Sequence, residues 1–278
     1  MTSSSGRQRE PRKNHPMRAE PLLLTAAAEA TRLLQRYGVT QPHEILLEDI
    51  AWEQGLEVVT GTLSGAEAHL VRVGDVGTIL LSDRLTHPGD RRFAIAHELG
   101  HWRMHGADTQ VFFCTDADMK EYRHSGQELE ANTFASELLM PKFMLNQKAL
   151  RDEPSWSVIH EMSTQFSVAP ITATIRYAEL APHPVMAVFS DGRNVHWWRE
   201  NRARMGGLWL ESKQQISDQA FVFHEAIEAS GETGMQQVPW DAWFPHIEAR
   251  EDEELWEFCA RLDDKGTMLS MLWIPSRS

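Results

Sequence analysis

The stretch Phe93-Ala-Ile-Ala-His97-Glu98-Leu-Gly-His101-Trp-Arg-Met-His105 constrains this chain more than any other. Phe93, Ile95, Leu99, Trp102 and Met104 read as a buried helix, yet polar side chains in a fixed order interrupt it. Residues four apart lie one turn apart on the same helix face, roughly 6 Å along the axis. His97 and His101 can therefore converge two imidazoles on one ion, and Zn–N bonds of about 2.0–2.1 Å suit that spacing. Glu98 then projects beside the ion without joining its ligands, where a general base for metal-bound water must sit. The segment predicts a fold assembled around a buried zinc helix.

Catalytic zinc keeps three protein ligands and one open position. His105 is excluded as the third, because His97 and His105 are about 12 Å apart along the axis. It is expected to support or pack beside the ligands instead. The third ligand is expected from Gln127-Glu128-Leu-Glu130-Ala-Asn132-Thr-Phe134-Ala135-Ser-Glu-Leu138-Leu139-Met140-Pro141, a second helix stopped by its proline. Glu128, Ala131, Asn132, Ala135 and Leu139 share one face there. The two alanines permit a close approach, and Gly100 offers the first helix a matching lack of bulk. Glu128 is thus the expected ligand, Glu130 the second choice, and Asn132 a side chain that hydrogen-bonds a ligand from behind.

Two signatures, Arg91-Arg-Phe-Ala-Ile-Ala-His-Glu-Leu-Gly-His and Glu128-x-x-Ala-Asn-x-Phe-Ala-x-x-Leu-Leu-Met-Pro141, resemble the ImmA/IrrE family of zinc metallopeptidases. The likeness runs from about Leu22 to Leu180. It implies a gluzincin-type site, with His97, His101 and Glu128 on Zn2+ and Glu98 as base. It also implies a bacterial or phage regulatory protease. The substrate implied is a helix-turn-helix repressor or antitoxin, whose cleavage releases stress-response or mobile-element genes. Ala94 stands where the family often has Thr or another small polar residue, a departure that touches no expected ligand.

Composition narrows what surrounds this site. With 278 residues, 42% of them hydrophobic, the chain can bury one large or two ordinary cores. No apolar run approaches the length of a membrane span. The stretch before Glu20 lacks the apolar segment of a secretory signal and is expected to be a disordered leader over 1–20, with Met17 an alternative start to Met1. Cys114 and Cys259 make no disulfide framework and suit a reducing compartment, so cytoplasm is the expected location. Net charge is −13, and Arg7, Arg9, Arg12, Lys13 and Arg18 all fall in the leader. The remainder is still more acidic and should repel phosphate backbones, so no direct nucleic-acid binding is expected.

The pattern elsewhere predicts an α+β fold. Leu22 to Tyr37 and Ile45 to Gln54 read as helices ended by Gly38 and Gly55. Three β-branched runs, Leu56–Val59, Ala68–Val73 and Thr78–Ser82, predict a small antiparallel sheet whose edge can align an extended peptide. Tyr122 and His124, in the irregular stretch 107–125, are the nearest donors in sequence for stabilising a tetrahedral transition state. Trp156 to Leu180 imitates a helix-turn-helix, but its second helix supplies only Arg176 for a DNA contact, which favours packing. Pro182-His-Pro184 reads as a linker between a peptidase domain over 21–181 and a mixed α/β regulatory or docking domain over 185–278. In the latter, a strand, an Asp191-Gly192 turn, a second strand, a charged helix over Glu251–Arg261 and a last strand are expected. The rival reading is a DNA- or protein-binding regulator with a structural zinc site. Glu98 argues against it, because a structural site closes its fourth position and needs no base.

Overall fold

The computed structural model describes residues 19–105, 111–115, 126–223, 231–247, 253–263 and 266–275. Residues 1–18 of the expected leader, Tyr122 and His124 lie outside them, while the last two residues of that leader, Ala19 and Glu20, begin the first helix. The described helices are α1 (Ala19–Arg36), α2 (Leu47–Glu53), α3 (Pro88–Met104), α4 (Gly126–Leu139), α5 (Gln147–Arg151), α6 (Trp156–Phe166) and α7 (Pro170–Leu180). The strands are β1 (Leu56–Gly61), β2 (Ala66–Val73), β3 (Val76–Ser82), β4 (Val111–Thr115), β5 (Val185–Ser190), β6 (Val195–Glu200), β7 (Gln236–Val238), β8 (Leu255–Arg261) and β9 (Met268–Trp273). The α+β class is borne out. Among the described residues, no helix is long and apolar enough to cross a membrane.

The first sheet runs β1-β3-β2-β4. It departs from the expected antiparallel sheet in one pairing, because β1 lies parallel to β3, Leu56 against Gly77 through Gly61 against Ser82. The reason is the tight β2–β3 hairpin: β1 and β2 run in opposite directions, and β3 returns between them instead of adding outside. Ala68, Leu70, Ile79 and Leu81 project from the inner face into the core that holds Ala94, Ile95 and Leu99 of α3. Gly77 has no room for a side chain there; a Cβ would stand 2.7 Å from the Val71 carbonyl oxygen and 2.9 Å from the Trp102 ring.

Helix α3 starts where the chain gives it a start. Pro88 occupies the first turn, and the His87 ring accepts from the Gly89 amide at 3.1 Å. It stops at His105, which turns extended while its amide still donates to the His101 carbonyl at 3.0 Å. Helix α4 lies against it, and α1 covers α4 with Ala26, Ala30, Leu33 and Leu34. In the helix pair α6–α7, Arg176 is buried and donates to Glu137 and to the Met140 carbonyl. The one arginine a DNA reader could use is thus committed to holding α4 against α7.

The second sheet runs β6-β5-β9-β8-β7, all antiparallel. Its central strands are apolar on both faces because each face enters a different core. Val185 and Ala187 of β5, Phe258 of β8, and Met271 and Trp273 of β9 join the core of the helices. Met186, Val188, Leu255, Cys259, Met268 and Leu272 join a second core with Met205, Leu210, Ile216, Trp243 and Phe244. The expected β5–turn–β6 hairpin is present, with Asp191 accepting from the Arg193 and Asn194 amides at 2.9 and 2.7 Å. Within the charged stretch 251–261, expected as a helix, Leu255–Arg261 is instead strand β8. Alternation explains it: Leu255, Glu257 and Cys259 face one way, while Trp256, Phe258 and Ala260 face the other. Glu257 tolerates complete burial because the amides of Phe221 and Val222, the Trp243 indole N–H and the Ser270 hydroxyl all donate to it, at 2.8 to 3.1 Å.

Candidate metal centre

Gly100 and Ala131 set the distance between α3 and α4. A Cβ on Gly100 would lie 3.0 Å from the Ala131 Cα and 3.1 Å from its carbonyl oxygen, so the two backbones are in direct contact. That approach carries Glu128, one turn earlier on α4, over the histidines of α3. Its carboxylate oxygens stand 3.2 Å from His97 Nε2 and 3.3 Å from His101 Nε2, and the two Nε2 atoms are 3.0 Å apart. His97, His101 and Glu128 each offer an atom within 4.8 Å of the others, a group that could hold a metal ion. Two imidazole nitrogens and a carboxylate are the donor chemistry of Zn2+ and similar divalent cations.

Both imidazoles are fully buried, and Glu128 is 17% exposed. Burial works against a charged His97, but hydrogen bonding to Glu128 and the charges of Glu98 and Glu128 outweigh it and raise its pKa. Burial likewise acts first on His101 and, helped by repulsion from its neighbours His97 and His105, lowers it to about 4. Glu128 is also resisted by burial, yet its bonds to His101 and His97 hold it well below the usual carboxylate range. The site is electrostatically asymmetric: one imidazole favours a proton, the other refuses it. Glu98, next to His97 in the chain, is wholly buried, and its charge is one of the causes that raise His97.

The far side of each ring is also engaged. Asn132 Oδ1 lies 2.9 Å from His97 Nδ1, the contact expected for it. His105 Nδ1 lies 2.9 Å from His101 Nδ1, and His105 Nε2 lies 3.2 Å from Glu130. The structure therefore brings together His97, Glu98, His101, Glu128, Asn132 and His105, and turns Glu130 to His105 instead of to the histidine pair.

Sequence reasoning missed Arg72. This residue of β2 donates to the Trp102 carbonyl at 3.0 Å and the His105 carbonyl at 3.2 Å, with its guanidinium 3.6 Å from the Trp102 ring centroid. The signal was present: after Ala68 and Leu70, the alternation places Arg72 on the inward face, where a cation needs a partner.

Comparison with known proteins agrees with this geometry. Residues 53–176 match the model of the IrrE N-terminal-like domain, peptidase family M78. The chain is 28% identical to the radiation response metalloprotease IrrE of Deinococcus radiodurans over 116 residues, 41% of this chain and 35% of that protein. It is 27% identical to the uncharacterized immunity region protein 2 of Bacillus phage phi105 over 128 residues, 45% of this chain and 73% of that protein. A solved structure described as a Mycobacterium tuberculosis transcriptional regulator shares the fold, with a TM-score of 0.57 and 15% identity, over 93% of this chain and 90% of that one. The chain spans about a third of the Deinococcus protein's length, and residues 53–176 contain all six side chains brought together here. Residues 53–176 of this chain are therefore similar to the IrrE N-terminal-like domain of peptidase family M78.

Proposed function

We propose that the chain is a zinc-dependent endopeptidase whose ligands are His97, His101 and Glu128 and whose general base is Glu98. The observation that carries this reading is the convergence of three ligand atoms within 4.8 Å, with the fully buried carboxylate of Glu98 close enough for its charge to act on His97. Bound Zn2+ supplies a Lewis acid that lowers the pKa of water toward neutrality and polarises a carbonyl. The chain's own residues do the rest. His97 and His101 hold their Nε2 lone pairs toward one point, and Glu128 neutralises charge there. Glu98 accepts the proton of the attacking water and returns it to the leaving amine. Asn132 and His105 fix the two rings from behind. Tyr122 or His124 would be the donor to the developing oxyanion, a role carried over from the sequence alone.

The substrate is a helix-turn-helix repressor or antitoxin, and its cleavage derepresses stress-response or mobile-element genes in the cytoplasm. The family resemblance and a phage relative named for an immunity region support this choice. In this reading residues 21–181, including the helix pair, form the peptidase unit. Residues 185–278 regulate it or dock the substrate, with no direct nucleic-acid contact. The test is co-expression with each helix-turn-helix protein encoded beside the chain. Metal-dependent fragments of one of them are expected; intact proteins throughout would overturn the substrate class.

A further inference from the structure

Glu130, His105 and His101 form a chain of hydrogen bonds that starts on α4 and ends at a metal-site histidine. Glu130 Oε2 lies 3.2 Å from His105 Nε2, and His105 Nδ1 lies 2.9 Å from His101 Nδ1. A carboxylate only accepts, so the Nε2 facing it must carry the hydrogen. A neutral imidazole has one hydrogen, so His105 Nδ1 is then an acceptor. The hydrogen between the two rings must therefore belong to His101 Nδ1. That assignment gives His101 Nε2 the lone pair with which it would join His97 and Glu128 in holding a metal. The assignment holds for a neutral His105 facing an ionised Glu130.

The chain is also held in place. His105 sits at the end of α3, where the helix has already stopped and a side chain could swing away. Arg72 prevents this, because its guanidinium donates to the carbonyls of both Trp102 and His105 while standing over the Trp102 ring. His105 is 5% exposed and Glu130 13%, so water competes weakly for either bond. His97 is fixed by simpler means, a single amide oxygen from Asn132. Its neighbour four residues on receives a three-residue device.

We infer that His105 and Glu130 are positioning residues that set the tautomer and orientation of His101 for metal binding, with Arg72 pinning the chain. This rests on the metal reading above and assigns Glu130 a part that neither ligation nor a solvated carboxylate would give it. Partners behind a metal-bound histidine typically change metal affinity by roughly 10–100-fold when removed.

The test uses the full chain carrying Glu98→Gln, so that no outcome depends on proteolysis. The affinity for Zn2+ is measured by competition with a chromophoric chelator. Adding His105→Phe should weaken it roughly 10–100-fold. Adding Glu130→Ala should weaken it in the same sense, while Glu130→Gln recovers most of the loss, because an amide oxygen still accepts from His105 Nε2–H. Nitrogen NMR of the zinc-loaded chain should show His105 protonated at Nε2 and bare at Nδ1. Unchanged affinity in both His105→Phe and Glu130→Ala, with at most a lower thermal midpoint of the metal-free chain, would overturn the inference. Glu128→Ala separates the two failures. If that variant also binds zinc like its parent, the metal reading itself is wrong; if it alone loses zinc, only the positioning chain is.

Discussion

Glu128 and Glu130, two residues apart on α4, serve different histidines: Glu128 stands 3.2 Å from His97 Nε2, and Glu130 stands 3.2 Å from His105 Nε2. A separation of two residues turns a helical side chain by about 200°, so one carboxylate can face the histidine pair and the other cannot. Glu128→Ala should therefore lose most of its zinc on dialysis against a mild chelator, since two histidines hold the ion weakly. Glu130→Ala should retain it there, its loss appearing only in competition with a strong chelator. Metal content measured side by side checks this, and the reverse order would contradict the observed rotation of α4.

The asymmetry between the histidines predicts how metal binding depends on pH. His97 is raised above its ordinary value, whereas burial keeps His101 at about 4 and therefore neutral well below neutrality. A proton on His97 competes with the metal, so affinity falls as pH falls below His97's raised pKa. Only one proton is displaced, because Glu128 stays ionised and His101 is already bare. Apparent affinity should change by about tenfold per pH unit over that range and level off above it. A hundredfold change per unit, from a titration of zinc affinity, would mean both imidazoles are protonated first.

The acidic chain predicts weak contact with nucleic acid. With a net charge of −13 and Arg176 buried against Glu137, the helix pair α6–α7 has no basic face to offer a groove. Electrophoretic mobility of duplex DNA near physiological salt should be unchanged at micromolar protein. A salt-resistant, sequence-specific complex would revive the regulator reading.

Glu257 anchors the second core to its sheet. Glu257→Gln places an amide donor against N–H groups that now meet an acceptor, and a buried donor left without one costs about 1–3 kcal/mol. The thermal midpoint should fall by roughly 2–4 °C for each kcal/mol lost. An unchanged melting curve would show that the carboxylate is dispensable.

The site was more legible than the sheets, for a physical reason. His97, Glu98 and His101 lie within one helical turn and a half, so their mutual geometry follows from the helix itself. Glu128 was accessible too, because Gly100, Ala131 and Ala135 advertise a close crossing that fixes which face points inward. Glu130 was harder, since its partner His105 lies just past the end of α3, where helical spacing stops being a guide. Strand β8 was misread because Glu257 looks like a solvated charge in sequence, and only four distant donors make its burial tolerable. The parallel β1–β3 pair was hidden for a similar reason: strand order is set by how the whole sheet packs, which the strands' own composition does not record.

The central claim is that Glu98 moves the proton of the attacking water while taking no part in holding the metal. Glu98→Gln keeps the shape of the side chain and removes its basicity. The measurement is the rate at which fragments of a co-expressed helix-turn-helix repressor accumulate, with zinc content determined on the same preparations. The account predicts full zinc content and cleavage slowed by roughly 10²–10⁴-fold. Cleavage at the parental rate by a zinc-loaded Glu98→Gln chain would contradict it.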